Sequence, residues 1–150
     1  MTSPAGWTAR DALAQAGFDA LLVTPGADLR YLTGYDALAL ERLTCLVLAA
    51  TGAPALVVPA LEELAAQGSP VSGLDIEVRP WQESADPVAV VTGVVGSAST
   101  MALDERMWAE KVLSSRAAMP HARQGSPRPG AAPAEDASER SRGPGPAQRR

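Results

Sequence analysis

The sequence predicts an α/β domain: a mixed β-sheet flanked by helices. Three observations carry this. Short runs rich in Leu, Val and Ala alternate with stretches of helical periodicity, and one pair of such runs is separated by a tight turn signal, Thr51-Gly52-Ala53-Pro54. The composition then shifts abruptly after Arg123, where the last 27 residues contain no Val, Leu, Ile, Met or aromatic residue. The predicted organisation is a folded domain over residues 1–123 and a disordered Pro/Gly/Ala/Arg-rich tail over 124–150.

Thr8–Ala16 reads as a helix with Leu13 and Ala16 turned inward and Asp11 near its positive end. Gly17 suits the position after a helix, where φ is usually positive. Ala20–Thr24 is short and apolar, as a strand covered on both faces would be. Pro25-Gly26 breaks it. Asp28–Thr33 fits a helical turn with Leu29 and Leu32 on one side, closed by Gly34. Ala37–Arg42 reads as loop.

Leu43–Leu61 runs 19 residues without a charge. That length suggests a membrane span, but the turn at its centre and Pro59 near its end favour a hairpin of Thr44–Ala49 with Ala55–Val58. Ala60–Gln67 reads as a short helix stopped by Gly68, Ser69–Gly73 as loop, and Ile76–Arg79 as a strand ended by Pro80. Asp86-Pro87 gives an N-cap and first-turn pair for a Val-rich helix to Val95. Thr100–Leu103 reads as a strand and Glu105–Ala117 as a helix that Asp104-Glu105-Arg106 would cap and charge. Met107, Trp108, Lys111 and Val112 would form its apolar face and edge.

The stretch GFDALLVTPGADLRYLTGYD, residues 17–36, resembles the signature of the creatinase/prolidase N-terminal domain, with Tyr31-Leu32-Thr33-Gly34 its most specific part. LTCLVLAATGAPALVVPALEELA, IEVRPW and MALDERMWAEKVLSSRAAMP follow in the order of that domain, so the resemblance covers Trp7–Arg123. It implies a ribonuclease-H-like mixed sheet. It also implies a non-catalytic module that precedes the metal-dependent catalytic domain of Xaa-Pro aminopeptidases, prolidases and creatinase, and serves dimerisation and active-site closure. The resemblance further implies another strand and a linker helix beyond Pro120, where this sequence turns to its tail. The expectation is therefore a domain cut off from its catalytic half by a frameshift or early stop. A stand-alone interaction or dimerisation module is the alternative, and an enzyme with its own unrecognised site a third class.

Charge and composition narrow the partners. The chain carries −4 overall. Five Arg against three acidic residues make the tail +2, which leaves eight basic and fourteen acidic residues, or −6, on the rest. Acidity argues against a phosphate-backbone binder, and 4% aromatic residues argue against stacking platforms for nucleic acid. A single cysteine, Cys45, forms no internal disulfide, and the first residues show no secretory pattern, so the expected location is cytoplasmic. The expected partners are a second copy or a catalytic peptidase domain, with neither nucleic acid nor membrane.

By the resemblance, the catalytic ligands are two Asp, one His and two Glu that hold a divalent metal pair in the absent half. No residue here inherits those roles, so no catalytic residue, metal ligand or cofactor is assigned to this chain, and the isolated chain is expected to be inactive. His121 reads as a solvated loop residue and Cys45 as a buried structural thiol. Two residues remain as substrate-contact candidates. Asp36 is either a solvated loop carboxylate or a group that reaches a substrate's charged end across a dimer interface. Arg30 is either a surface cation or a carboxylate clamp. Trp81 and Trp108 read as core or interface anchors.

Overall fold

The computed structural model describes residues 4–127. The chain runs α1 (Pro4–Gln15), β1 (Ala20–Val23), α2 (Ala27–Thr33), β2 (Cys45–Ala49), β3 (Ala55–Pro59), a 3₁₀ turn (Ala60–Glu62), α3 (Glu63–Gln67), a second 3₁₀ turn (Pro70–Gly73), β4 (Glu77–Trp81), α4 (Pro87–Val95), β5 (Thr100–Leu103), α5 (Ala109–Ala118) and β6 (Arg123–Gly125). One six-stranded sheet has the order β4-β3-β2-β1-β5-β6. β2 alone runs antiparallel, pairing with β1 and β3 in the registers Leu22 with Val47 and Leu46 with Leu56. The β3–β4, β1–β5 and β5–β6 pairs are parallel.

Two apolar layers follow from the period-2 alternation of the strands. On one face Leu22, Cys45, Val47, Val57, Met101 and Leu103 pack under Val91 and Val95 of α4 and Met119 at the end of α5. On the other, Val23, Leu46, Leu48, Leu56 and Val58 pack against Leu29 of α2, Ala66 of α3 and Val71. Leu13 of α1 and Phe18 complete that second layer over Ala102. The result is a three-layer helix–sheet–helix sandwich. The β3-to-β4 connection moves one way along the sheet, while β4-to-β5 and β5-to-β6 move the other way. One handedness of parallel crossover therefore places their helices on opposite faces.

The long uncharged run resolves as the β2–β3 hairpin, with every residue of both strands buried. Helices cover both faces there, so no strand position faces water and no alternation with polar residues survives. Full burial of a Leu or Val side chain contributes about 1.5–3 kcal/mol. Among the described residues no helix is long and apolar enough to cross a membrane. Asp86 caps α4 as its sequence predicts, with its Oδ1 accepting from Val88 N at 2.9 Å. The Val content of α4 is explained by the core: Val91 and Val95 are buried, and Val88, Val90 and Val94 pack beside them.

Several boundaries differ from expectation. α1 begins at Pro4 rather than Thr8. The expected loop Ser69–Gly73 is a 3₁₀ turn capped by the Ser69 hydroxyl, which accepts from Val71 N at 3.3 Å. α5 begins at Ala109, not Glu105, because Asp104 is engaged elsewhere. A strand beyond Pro120 is present: β6 pairs Arg123 with Thr100 and Gly125 with Ala102. Gln124 and Gly125 thus belong to the sheet, and the tail beyond Pro127 lies outside the described residues.

Candidate functional site

The sheet's carboxyl edge collects the chemistry-bearing loops. β1, β3, β4, β5 and β6 end there, and antiparallel β2 begins there. The segments that leave this edge include residues 24–44, the Ala60–Glu62 turn with α3, residues 82–86 and residues 104–108.

Two latches shape it. Asp104 Oδ2 accepts from Thr24 N at 3.3 Å and from Thr24 Oγ1 at 3.0 Å, and Asp104 Oδ1 accepts from Arg106 N at 2.9 Å. The acid expected to cap α5 instead ties the end of β1 to the β5–α5 loop. The second latch is the Tyr31–Gly34 turn. Thr33 Oγ1 donates to Leu29 O at 2.7 Å and accepts from Tyr35 N at 3.0 Å. Gly34 takes φ 72°, and its N–H donates to Arg30 O. Tyr35 is buried and its hydroxyl donates to Glu62 Oε2 at 3.3 Å. Burial foremost, then the Glu62 carboxylate, pushes the Tyr35 phenol above its ordinary value.

The structure brings the two substrate-contact candidates together. Arg30 Nη1 and Asp36 Oδ2 lie 3.9 Å apart, both largely exposed, on either side of the Gly34 turn. The segments that leave the same edge also carry exposed apolar side chains: Tyr31, Leu38 and Leu40 between β1 and β2, and Leu61 and Leu64 after β3. Trp108, expected in the core or at an interface, is 46% exposed. Trp81 is buried and its Nε1 donates to Leu43 O at 2.8 Å.

Other sequence candidates sit apart from this edge or inside the core. Cys45 is fully buried, and burial pushes its thiol up to about 12. His121 is exposed, between α5 and β6. Among the described residues no three His, Cys, Asp or Glu side chains gather as a metal site would need.

One feature has no linear signal. Thr24, Leu40, Arg42, Leu43, Thr44, Arg106, Trp108 and Lys111 line a small recess of about 20 Å³ between the end of β1, the loop into β2 and the start of α5. Its residues come from three separate stretches of chain, so spacing alone does not reveal it.

Comparison with known proteins adds the following. Residues 8–124 match the creatinase/prolidase N-terminal domain family. An 87-residue stretch is 47% identical to the probable dipeptidase PepE of Mycobacterium bovis and of Mycobacterium tuberculosis, covering 58% of this chain and 23% of each dipeptidase. The matched stretch therefore spans about a quarter of the length of those curated relatives. The crystal structure of dipeptidase PepE from Mycobacterium ulcerans aligns with a TM-score of 0.71 at 40% identity, over 77% of this chain and 32% of that one. The creatinase/prolidase N-terminal domain of an X-Pro dipeptidase from Streptococcus pyogenes has the same fold, with a TM-score of 0.65 at 23% identity over 75% of this chain and 91% of that one.

Proposed function

The chain belongs to the creatinase/prolidase N-terminal domain family, and from that premise we propose that it is a non-catalytic module that docks onto a metal-dependent dipeptidase catalytic domain and serves dimerisation and active-site closure there. The observation that carries this reading is the carboxyl edge of the sheet. Tyr31, Leu38, Leu61 and Leu64 stand exposed on the segments that leave it, as does the Arg30–Asp36 pair. Exposed apolar side chains on one edge, among polar loops, mark a surface made to be covered. In this reading the divalent metal pair and the hydrolytic step belong to the other domain. The charged pair on the Gly34 turn faces the neighbouring active site and meets a substrate's charged end. The lone buried thiol accords with a cytoplasmic setting.

The test is light scattering of the full chain with and without the separately expressed catalytic half of a similar PepE dipeptidase. A one-to-one complex that Leu38→Asp/Leu64→Asp disrupts supports the reading. Stable dimers of the chain that ignore the catalytic half would establish the stand-alone dimerisation module instead.

A further inference from the structure

We propose that the outer side of β6 is an interface at which a second copy of this chain adds its own β6 antiparallel, joining the two sheets about Gln124. The site is on the lateral edge of the sheet, away from the strand ends, and rests on no part of the docking reading.

β4 and β6 are the outermost strands. An edge strand directs alternate pairs of N–H and C=O groups outward, where another strand can meet them. The two edges differ in what they offer. On β4, Glu77 N–H donates inward to Pro54 O at 3.0 Å, so residues 78 and 80 face outward. Residue 80 is proline, which has no N–H to give, and the Arg79–Glu77 ion pair adds charge along that strand. On β6, Arg123 N–H donates inward to Ser99 O at 2.8 Å, and Gly125 follows two residues on. The outward residue is therefore Gln124, at the centre of the strand, with its N–H and its C=O both on the open side. That arrangement is self-complementary. Across a two-fold axis, Gln124 of each copy exchanges both bonds with the other.

The Gln124 side chain is an independent sign. Gln124 is in register with Met101, which places its side chain on the face covered by α4 and α5. There its Oε1 is buried without a hydrogen-bond partner, the one such side-chain atom among the described residues. Native folds satisfy nearly all such groups. In the two-fold pair the two Gln124 side chains stand opposite each other on one face, about 5.5 Å apart at Cα. A primary amide carries both donor and acceptor, so rotation toward the mate lets each Nε2 donate to the other Oε1.

The same face sets the strength of the contact. An open groove of about 1210 Å³ runs between α5 and β6, with Leu103, Val112 and Met119 among its apolar walls. Pairing sets the two grooves side by side over the joined strands, with an α5 on either flank. Arg116 and Arg123 border the groove, no carboxylate lines it, and neither guanidinium has an ion-pair partner among the described residues. Two copies bring these like charges together, so association is weak and salt favours it.

The experiment is sedimentation velocity of the full chain at low and high salt, with chain at about 10 μM to 1 mM. Dimers should form with Kd on the order of 0.1–1 mM, because three strand residues bury less than a standard interface. Raising the salt should tighten them. Gln124→Pro removes the outward N–H and the side-chain amide, and should weaken association at least ~10-fold. Arg79→Ala, on the β4 edge, should leave it unchanged. Oxidative cross-linking reads the register separately. Gln124→Cys should give a reducible covalent dimer, whereas Arg123→Cys, whose mate is diagonal, should cross-link at least ~10-fold more slowly. Cys45 is buried and takes no part. The cross-link decides the matter where Gln124→Pro fails to fold. A chain that stays monomeric at about 1 mM, dimers that a folded Gln124→Pro keeps, or equal cross-linking at 123 and 124 would overturn the proposal. Slow exchange of the Gln124 amide that ignores concentration would place the chain's own residues 128–150 on this edge, and would overturn it too.

Discussion

Gly34 sits directly against the ring of Pro70: a Cβ added at Gly34 would lie 2.8 Å from Pro70 Cβ and 2.9 Å from Cγ. This close approach seats the Tyr31–Gly34 turn on the 3₁₀ turn that follows α3. Two constraints thus meet at one residue, a φ of 72° and a lack of room. Gly17 separates them, since it has φ 79° with nothing within 4 Å of its added Cβ. Gly17→Ala should cost only the left-handed strain, about 1–2 kcal/mol. Gly34→Ala should cost more, by about 1–3 kcal/mol of overpacking against a stiff ring. Urea unfolding of the two variants measures the difference. Equal losses would show that Pro70 moves aside freely.

Trp81 holds the loop into β2 from across the sheet. Its indole N–H donates to Leu43 O at 2.8 Å, and both residues are buried. Trp81→Phe keeps an aromatic ring but leaves that carbonyl without its partner. An unmade buried hydrogen bond costs about 1–3 kcal/mol. Chemical denaturation should show a loss of that size. A loss below ~0.5 kcal/mol would mean that water reaches Leu43 O and satisfies it in place of the indole.

Asp19 should govern part of the acid stability. Its carboxylate accepts from Ser99 Oγ at 2.9 Å, from Ser99 N at 3.0 Å and from Thr100 N at 3.1 Å, tying the start of β1 to the start of β5. The Ser99 hydroxyl and N–H, followed by the Thr100 bonds, outweigh burial and hold its pKa below the ordinary 3.8. The folded pKa is the lower one, so the contribution is present above the unfolded value and is lost as pH falls through the folded value. Asp19→Asn should therefore flatten the rise of stability from strongly acidic pH up to about pH 5. An unchanged acid limb in the variant would remove Asp19 from the account.

Cys45 should report global opening. It is fully buried between the helix layers, and burial raises its thiol to about 12. At pH 8 it is a protonated thiol without access to reagent. Alkylation by iodoacetamide should proceed only through unfolding and should accelerate in parallel with added urea. Rapid labelling in the absence of denaturant would show that α4 lifts from the sheet locally.

How much of this was legible in the sequence depends on the range of the interactions. The β2–β3 hairpin, the Asp86 cap and the stop at Gly17 rest on neighbours within a few residues, and they stand where turn and cap chemistry put them. Asp104 misled, because locally it looks like a helix cap, whereas its Oδ2 serves Thr24, 80 positions away in the chain. β6 was hidden because Arg-Gln-Gly has no strand signal of its own, and pairing with the buried β5 imposes its conformation. The Arg30–Asp36 pair was legible as two separate candidates, since only the Gly34 turn sets them facing each other. The recess was not legible, because Thr24, Thr44 and Trp108 meet only after three loops converge on one edge.

The Arg30–Asp36 pair gives the test that separates a functional charge from a structural one. Its atoms are 3.9 Å apart and both side chains are mostly in water. Pairs of this kind contribute about 0–1 kcal/mol, because solvent screens them and ordering two side chains costs entropy. Arg30→Ala and Asp36→Ala should each leave the unfolding free energy within about 0.5 kcal/mol of the parent, as surface substitutions generally do. The Gly34 turn does not depend on the pair: Thr33 Oγ1 and the Gly34 N–H make its hydrogen bonds. If the pair faces a catalytic domain, the same substitutions should weaken association with the catalytic half of a PepE dipeptidase. The expected loss is several-fold to ~30-fold, since a charge desolvated at an interface is worth more than one in water. Stability and association are measured on the same variants, by urea unfolding and by light scattering. Unchanged stability with weakened association assigns the turn to the interface. A loss of stability above ~1 kcal/mol in either variant would instead make the pair part of the fold.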